Sequence, residues 1–172
     1  MPLVSITRLR VRHCRYVPHF LVQSIRAVRH AKLAAGSISV SALRSADRAF
    51  WTRTVWRGEA AMRAIMQSGV HRRVMARLAE WCDEAAPVHW VQDADETPSW
   101  AEAHRRLQGE GRRSRVSHPS EAQRRFEIRE PRMSRTGIQM TAGTSAFFST
   151  SPAFGELGTR YFSKICLKAP LR

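Results

Sequence analysis

His71 is the residue of this 172-residue chain whose type and setting come closest to chemistry. It stands in MQSGVHRRVM (66–75), just after Gly69, where one amphipathic run stops and the next begins. A histidine in the first turn of a helix meets the positive end of the helix dipole, which disfavours imidazolium and keeps the ring neutral. Neutral imidazole is the form that accepts a proton or ligates a metal or haem iron. Met75, four residues on, shares its face with Val74 and Leu78 beside it. Arg72 and Arg73 are placed to meet a propionate or another carboxylate. A solvated polar residue opening a helix accounts for the same letters more plainly. One His without a partner at ligand spacing is weak ground for a non-haem metal, and no metal site is expected.

The remaining candidates are weaker. His89 precedes Trp90 in an alternating run and is expected to face solvent or a dimer seam, and His13, His19 and His30 are scattered among arginines. Trp51, Trp56, Trp81 and Trp90 form the notable aromatic concentration. Aromatic side chains on strands suit a pocket for a flat or polyene molecule, and they suit an ordinary core or dimer interface more often. Glu59, Glu80, Asp83 and Glu84 show no paired-carboxylate arrangement. There is no Gly-rich phosphate loop, GxSxG elbow, HExxH or Walker motif, which lowers the odds for nucleotide enzymes and common hydrolases.

The elements that would position these residues follow from periodicity. LVSITRLRVR (3–12) alternates, with Leu9 and Val11 facing one way and Arg8, Arg10 and Arg12 the other, as in a half-buried strand. Pro18 suits a helix first turn, Leu21, Ile25, Val28 and Lys32 follow at helical spacing, and Gly36 is the expected stop. ISVSAL (38–43) and AFWTRTVW (49–56) read as an antiparallel hairpin. Two helical runs come next, 58–69 and then HRRVMARLAEWCDEA with Val74, Leu78, Trp81 and Cys82 on its apolar face; Gly69 separates them or bends one helix. Pro87 resets the chain, and VHWVQ (88–92) is the last strand. The order β-α-β-β-α-β is ferredoxin-like: an α+β class fold with a four-stranded antiparallel sheet and helices on one side, over residues 3–93. Residues 94–135 read as a charged linker with a short helix near Thr97–Ser99, running on into an extended or disordered arm. Residues 136–172 read as a poorly structured, low-order tail.

Composition narrows the partners. Lys plus Arg number 29 against 14 Asp plus Glu, a net charge of +15, almost all of it arginine. The excess is spread along the chain with no block of like charge and no nucleic-acid module, so direct nucleic-acid binding is disfavoured against scattered, solvated Arg. Cys14, Cys82 and Cys166 form no CxxC pair, and their odd number without a signal peptide points to free thiols and a cytoplasmic location. No apolar run is long enough for a membrane span. The first 46 residues carry eight basic groups and no acid, like a mitochondrial presequence, but they supply the first strand and helix of the expected domain.

The stretch FWTRTVWRGEAAMRAIMQSGVHRRVMARLAEWCDEA (50–85) resembles an uncharacterised group in the dimeric α+β barrel superfamily. That group is similar to antibiotic-biosynthesis-monooxygenase-like and, more distantly, spheroidene-monooxygenase-like proteins. The resemblance covers roughly residues 3–93 and implies a homodimer packed sheet against sheet. Burial agrees, since a sheet with helices on one side leaves an open apolar face that a second copy would close. It also implies a pocket between sheet and helices that binds or oxidises a hydrophobic small molecule, with haem as cofactor or none. On that account His71 is the haem ligand or acid/base, Trp51 and Trp81 shape the pocket, and Arg72 or Arg73 anchors an anionic group. The alternatives are a non-enzymatic dimeric binding domain, and an Arg-rich nucleic-acid or anionic-surface binder acting through the 105–135 arm. The fold alone does not name the reaction.

Overall fold

A computed structural model of the chain describes residues 1–132 and 140–141. Strand β1 (Leu3–Val11) lies at the centre of an antiparallel sheet, between β3 (Ala49–Trp56) and β4 (Cys82–Val91). Strand β2 (Ser37–Arg44) pairs with the other side of β3, and the two-residue β5 (Met140–Thr141) adds backbone pairing beyond it. The order is β4-β1-β3-β2-β5. Helices α1 (Val17–Leu33), α2 (Glu59–Gln67) and α3 (Gly69–Trp81) complete the expected β-α-β-β-α-β succession, so the α+β ferredoxin-like class holds. No helix among the described residues is long and apolar enough to cross a membrane.

Register decides which side chains face the helices. Ser5 lies opposite Thr54 on one side and His89 on the other, and Thr7 lies opposite Thr52 and Pro87. Because side chains alternate along a strand, these rows share one face. Val4, Ile6 and Arg8, with Val55, Arg53 and Trp51, share the other. On the helix side, Leu3, Val40 and Trp56 pack with Val28, Ala31 and Met62, while Val11, Val17 and Phe20 pack with Val74, Leu78 and Trp81.

Two local devices fix the helices. Gly36, at φ +81°, closes the turn from α1 into β2; a Cβ there would sit 2.6 Å from that of Ala61. Ser68 separates α2 from α3: its N–H donates to Ile65 O at 3.1 Å, and its hydroxyl accepts the His71 N–H at 3.3 Å. Two helices therefore form, rather than one bent helix. The boundary after α3 differs from expectation. Cys82, Asp83, Glu84 and Ala85 continue the helical letters, yet the helix ends at Trp81 and β4 starts at Cys82. Pro87 interrupts nothing. Its carbonyl accepts the Arg112 N–H at 3.0 Å, so its nitrogen also points to the outer edge, where no ladder bond to β1 is lost.

The face expected to stand open is covered by the chain itself. Helix α4 (Trp100–Glu110) is capped by Ser99, whose hydroxyl accepts the Glu102 N–H at 3.1 Å. Its Ala103 and Leu107, with Ile128 further on, form one buried cluster with Val4, Ile6, Leu43, Trp51, Val55, Ala86 and Val88. Arg53 lies 4.2 Å from the Trp100 ring and donates to Pro98 O, and Arg106 lies 5.1 Å from Trp90. Arg8, on the strand face expected to be polar and wet, is only 1% exposed; it is bonded to Glu84 and, at 3.2 Å, to Asp47.

Beyond α4 the chain runs along the outer edge of β4. Arg112 and Ser114 donate backbone bonds to Pro87 O and Ala85 O, at 3.0 and 2.9 Å. Helix α5 (Glu121–Arg125) then brings in the buried Gln123, whose carboxamide both accepts from Ala85 N and donates to Ala85 O and Ser114 O. The stretch expected to be a linker and arm is thus packed on the sheet, although α4 itself falls where the short helix was expected. The expected low-order tail, Met140–Thr141 apart, lies outside the described residues.

Candidate functional site

Between the sheet and α1–α3 lies a cavity of about 360 Å³. Its floor is the hydroxyl-bearing set Ser5, Thr7, Thr52 and Thr54. Thr54 donates to Ser5 O at 3.3 Å and accepts from the Trp56 indole at 2.8 Å, which fixes that ring at the edge of the floor. The walls are apolar, with Val28 and Ala31 from α1, Met62 from α2, and Val74 and Leu78 from α3. Met66 and Met75 are substantially exposed and also line the cavity, giving it a soft apolar rim. The outer wall comes from the arm along β4, through Arg112, Ser114, Arg115 and Val116.

Three imidazoles line this space, each from a different element: His30 from α1, His71 from α3 and His89 from β4. Burial depresses the His71 pKa, and His30 adds to the depression. The ring is therefore neutral at pH 7, the state its place at the helix start suggested, but through burial and a neighbouring imidazole. His89 is depressed in the same way, by burial first and then by the Arg112 charge. Its Nδ1 is buried without a hydrogen-bond partner. Among the described residues no group of three or more His, Cys, Asp or Glu is gathered so as to hold a metal ion.

Of the residues singled out in the sequence, His71 lines the cavity. Trp51 is fully buried on the opposite face of the sheet beneath α4, edge-on to His104 with ring centroids 6.3 Å apart. Trp81 packs in the cluster with Val11 and Phe20 and is not part of the lining. Arg72 and Arg73 are exposed and also outside the lining. His89, expected at solvent or a dimer seam, faces the cavity instead. Trp56, His30, Arg112 and Arg115 were missed as lining residues. A signal existed for Trp56: Thr52, Thr54 and Trp56 share strand parity, and Trp51 does not. None existed for the arm arginines, which follow no period.

Fold and cavity together define the class, a ferredoxin-like α+β domain with a small-molecule-sized space between sheet and helices. A family model, a domain of unknown function designated DUF3291, matches residues 25–133, and the chain belongs to that family. A search of the curated proteins finds no match. Among solved structures, Rv0793 from Mycobacterium tuberculosis is similar with a TM-score of 0.51 and 14% identity, over 55% of this chain and 97% of that one. A protein from Nitrosomonas europaea, provisionally described as an antibiotic biosynthesis monooxygenase, gives 0.49 and 15%, over 53% and 89%. A variant of SnoaB, a cofactor-independent oxygenase from Streptomyces nogalater, gives 0.45 and 14%, over 54% and 94%. At such identity Rv0793 speaks for the fold alone. The family match, by contrast, runs on through α4 and the arm.

Proposed function

We propose that the chain holds a small hydrophobic molecule between its sheet and α1–α3, and that His71 takes a proton from it in a monooxygenase-like oxidation. The observation that carries this is the cavity itself. Its volume, about 360 Å³, falls within the range of roughly 300–1,000 Å³ typical of small-molecule sites. Apolar walls would hold the body of the ligand, and the hydroxyl floor offers a few directional contacts. A neutral imidazole inside such a space is competent as a base, and proton removal makes a bound enol or phenol electron-rich enough to meet dioxygen. The resemblance of residues 50–85 to monooxygenase-like domains supports that reaction class.

The same imidazole is the donor a haem would use, with Arg112 and Arg115 as partners for its propionates, and bound haem would supply dioxygen activation. In the arm Arg105 and Arg106 share Glu102, and Arg124 and Arg125 share Glu121, so these four guanidinium groups are engaged in surface pairs.

The test uses N-phenyl-1-naphthylamine, a neutral apolar dye, with the full chain. We expect saturable fluorescence at one site per chain. Ala27, on α1, also lines the cavity, and Ala27→Phe should weaken binding about tenfold or more without lowering the melting temperature, since the added ring takes the place of the dye. Dye binding indifferent to that substitution would sink the cavity assignment. Oxygen uptake with an enolisable aromatic ketone, abolished in His71→Ala, would support the base. A haem Soret shift lost in the same variant would instead make His71 a ligand.

A further inference from the structure

We propose that the ligand of this cavity is an amphipathic acid, with an apolar body between the helices and the sheet and a carboxylate head met by Arg112, Arg115 and His89. The proposal rests on the cavity assignment above and adds the chemical class of what fills it.

The sign of the cavity's charge comes first. Its lining carries two permanent positive charges, Arg112 and Arg115, and no Asp or Glu. Both arginines are exposed and stand at the cavity's solvent side, where an anionic head group gains from that imbalance and a neutral ligand does not. Second, the two arginines are free to act. Between Gly111 and Phe126 the other arginines are engaged: Arg113 donates to Arg124 O, and Arg124 and Arg125 pair with Glu121. Arg112 and Arg115 have no side-chain partner among the described residues, and they are the two that reach the cavity. A guanidinium beside a carboxylate forms charge-assisted, often bidentate bonds.

Third, the arginines are delivered from a fixed backbone. The bonds from Arg112 N to Pro87 O and from Ser114 N to Ala85 O tie that segment to β4 like an added strand. Val116 packs against the cluster around Val11 and Phe20 and secures its far end. Fourth, His89 supplies an unanswered polar atom. Its Nδ1 is sealed off from the cavity, and its other ring nitrogen, Nε2, has no partner among the described residues. In the tautomer carrying hydrogen on Nε2, His89 donates to a carboxylate oxygen. His89 neighbours Pro87 on the lining, the residue whose carbonyl holds Arg112, so His89 and Arg112 share one end of the cavity, with Arg115 further along the arm. Away from the arm, Val28 of α1 and Met62 of α2 are apolar and suit the ligand's body.

The test compares 1-naphthaleneacetic acid with its neutral isostere, 1-naphthaleneacetamide, as competitors of N-phenyl-1-naphthylamine on the full chain at pH 7. We expect the acid to bind about tenfold or more tightly than the amide, the worth of one charge-assisted hydrogen bond. In Arg112→Gln/Arg115→Gln the preference should shrink to about twofold or less, with amide affinity unchanged, because only the charged contact is lost. Arg72→Gln/Arg73→Gln removes the same charge outside the cavity and should leave the preference intact. Three outcomes overturn the acid proposal while the cavity assignment stands: equal binding of acid and amide, displacement by neither, or equal loss of preference in both double variants. The last would reduce the effect to the chain's general positive charge. Absence of any saturable dye binding would bring down the cavity assignment, and the acid proposal with it.

Discussion

His71 and His89 act on stability as well as on the site. Both are held below the ordinary histidine value of 6.5 by burial. In the unfolded chain both titrate near that value, so below it the unfolded state binds protons that the folded state refuses. Stability therefore rises with pH across this window and falls on acidification, down to the lowered folded values. We expect the urea midpoint to drop between pH 7 and pH 5, and His71→Gln to show a shallower drop; an unchanged slope would remove His71 from the linkage. Cys82 behaves oppositely. Burial first, and then the Asp83 charge, push its thiol up to about 12, which leaves it protonated and unreactive. At this scale the sequence was half informative. The helix start at His71 could be read, because Gly69 and Ser68 announce it locally, but the burial and the His30 neighbour that keep its ring neutral could not. The orphaned nitrogen of His89 could not, because it depends on β1, β4 and the arm meeting across more than eighty residues.

The elements divide in the same way. Strands β1, β2 and β3 and helix α1 could be read from short-range pattern, since alternation, Pro18 and Gly36 each act within a few residues. The start of β4 was hidden, because Asp83, Glu84 and Ala85 are neutral as local signals and become strand only by pairing with β1. Asp83 and Glu84 are also spoken for, by Arg10 and Arg8 on that neighbouring strand. The role of α4 was hidden for a different cause: its helical letters are plain, but nothing in them says which surface they cover. Two substitutions check the account. Gly36→Ala combines a positive φ with a 2.6 Å approach to Ala61, and should cost about 1–3 kcal/mol in denaturant unfolding. Leu107→Ala empties a fully buried site in the layer under α4, and should cost about 2–5 kcal/mol. A change below about 0.5 kcal/mol at Leu107, the range typical of surface positions, would mean that α4 is not packed on the sheet as described.

For the whole molecule, the expectation of a homodimer came from the resemblance to dimeric α+β barrels and from an apolar sheet face in want of a cover. That face holds Val4, Ile6, Trp51 and Val55, and α4 with Ile128 already buries it. The apolar residues were legible; the identity of their cover was not, because a second copy and a distal helix satisfy the same burial. We expect sedimentation equilibrium of the full chain to give the monomer mass. A stable dimer would have to use another surface, or displace α4. Pro87 bears on what happens if the arm lifts away. An uncovered outer strand is ordinarily a template on which foreign strands grow into aggregates. Here the exposed row would lack a donor at its middle, since the proline nitrogen faces outward and carries no hydrogen. An intruding strand would lose a hydrogen bond at the point where the chain's own arm needs only a carbonyl, so the edge admits its native cover and discriminates against amyloid-like addition.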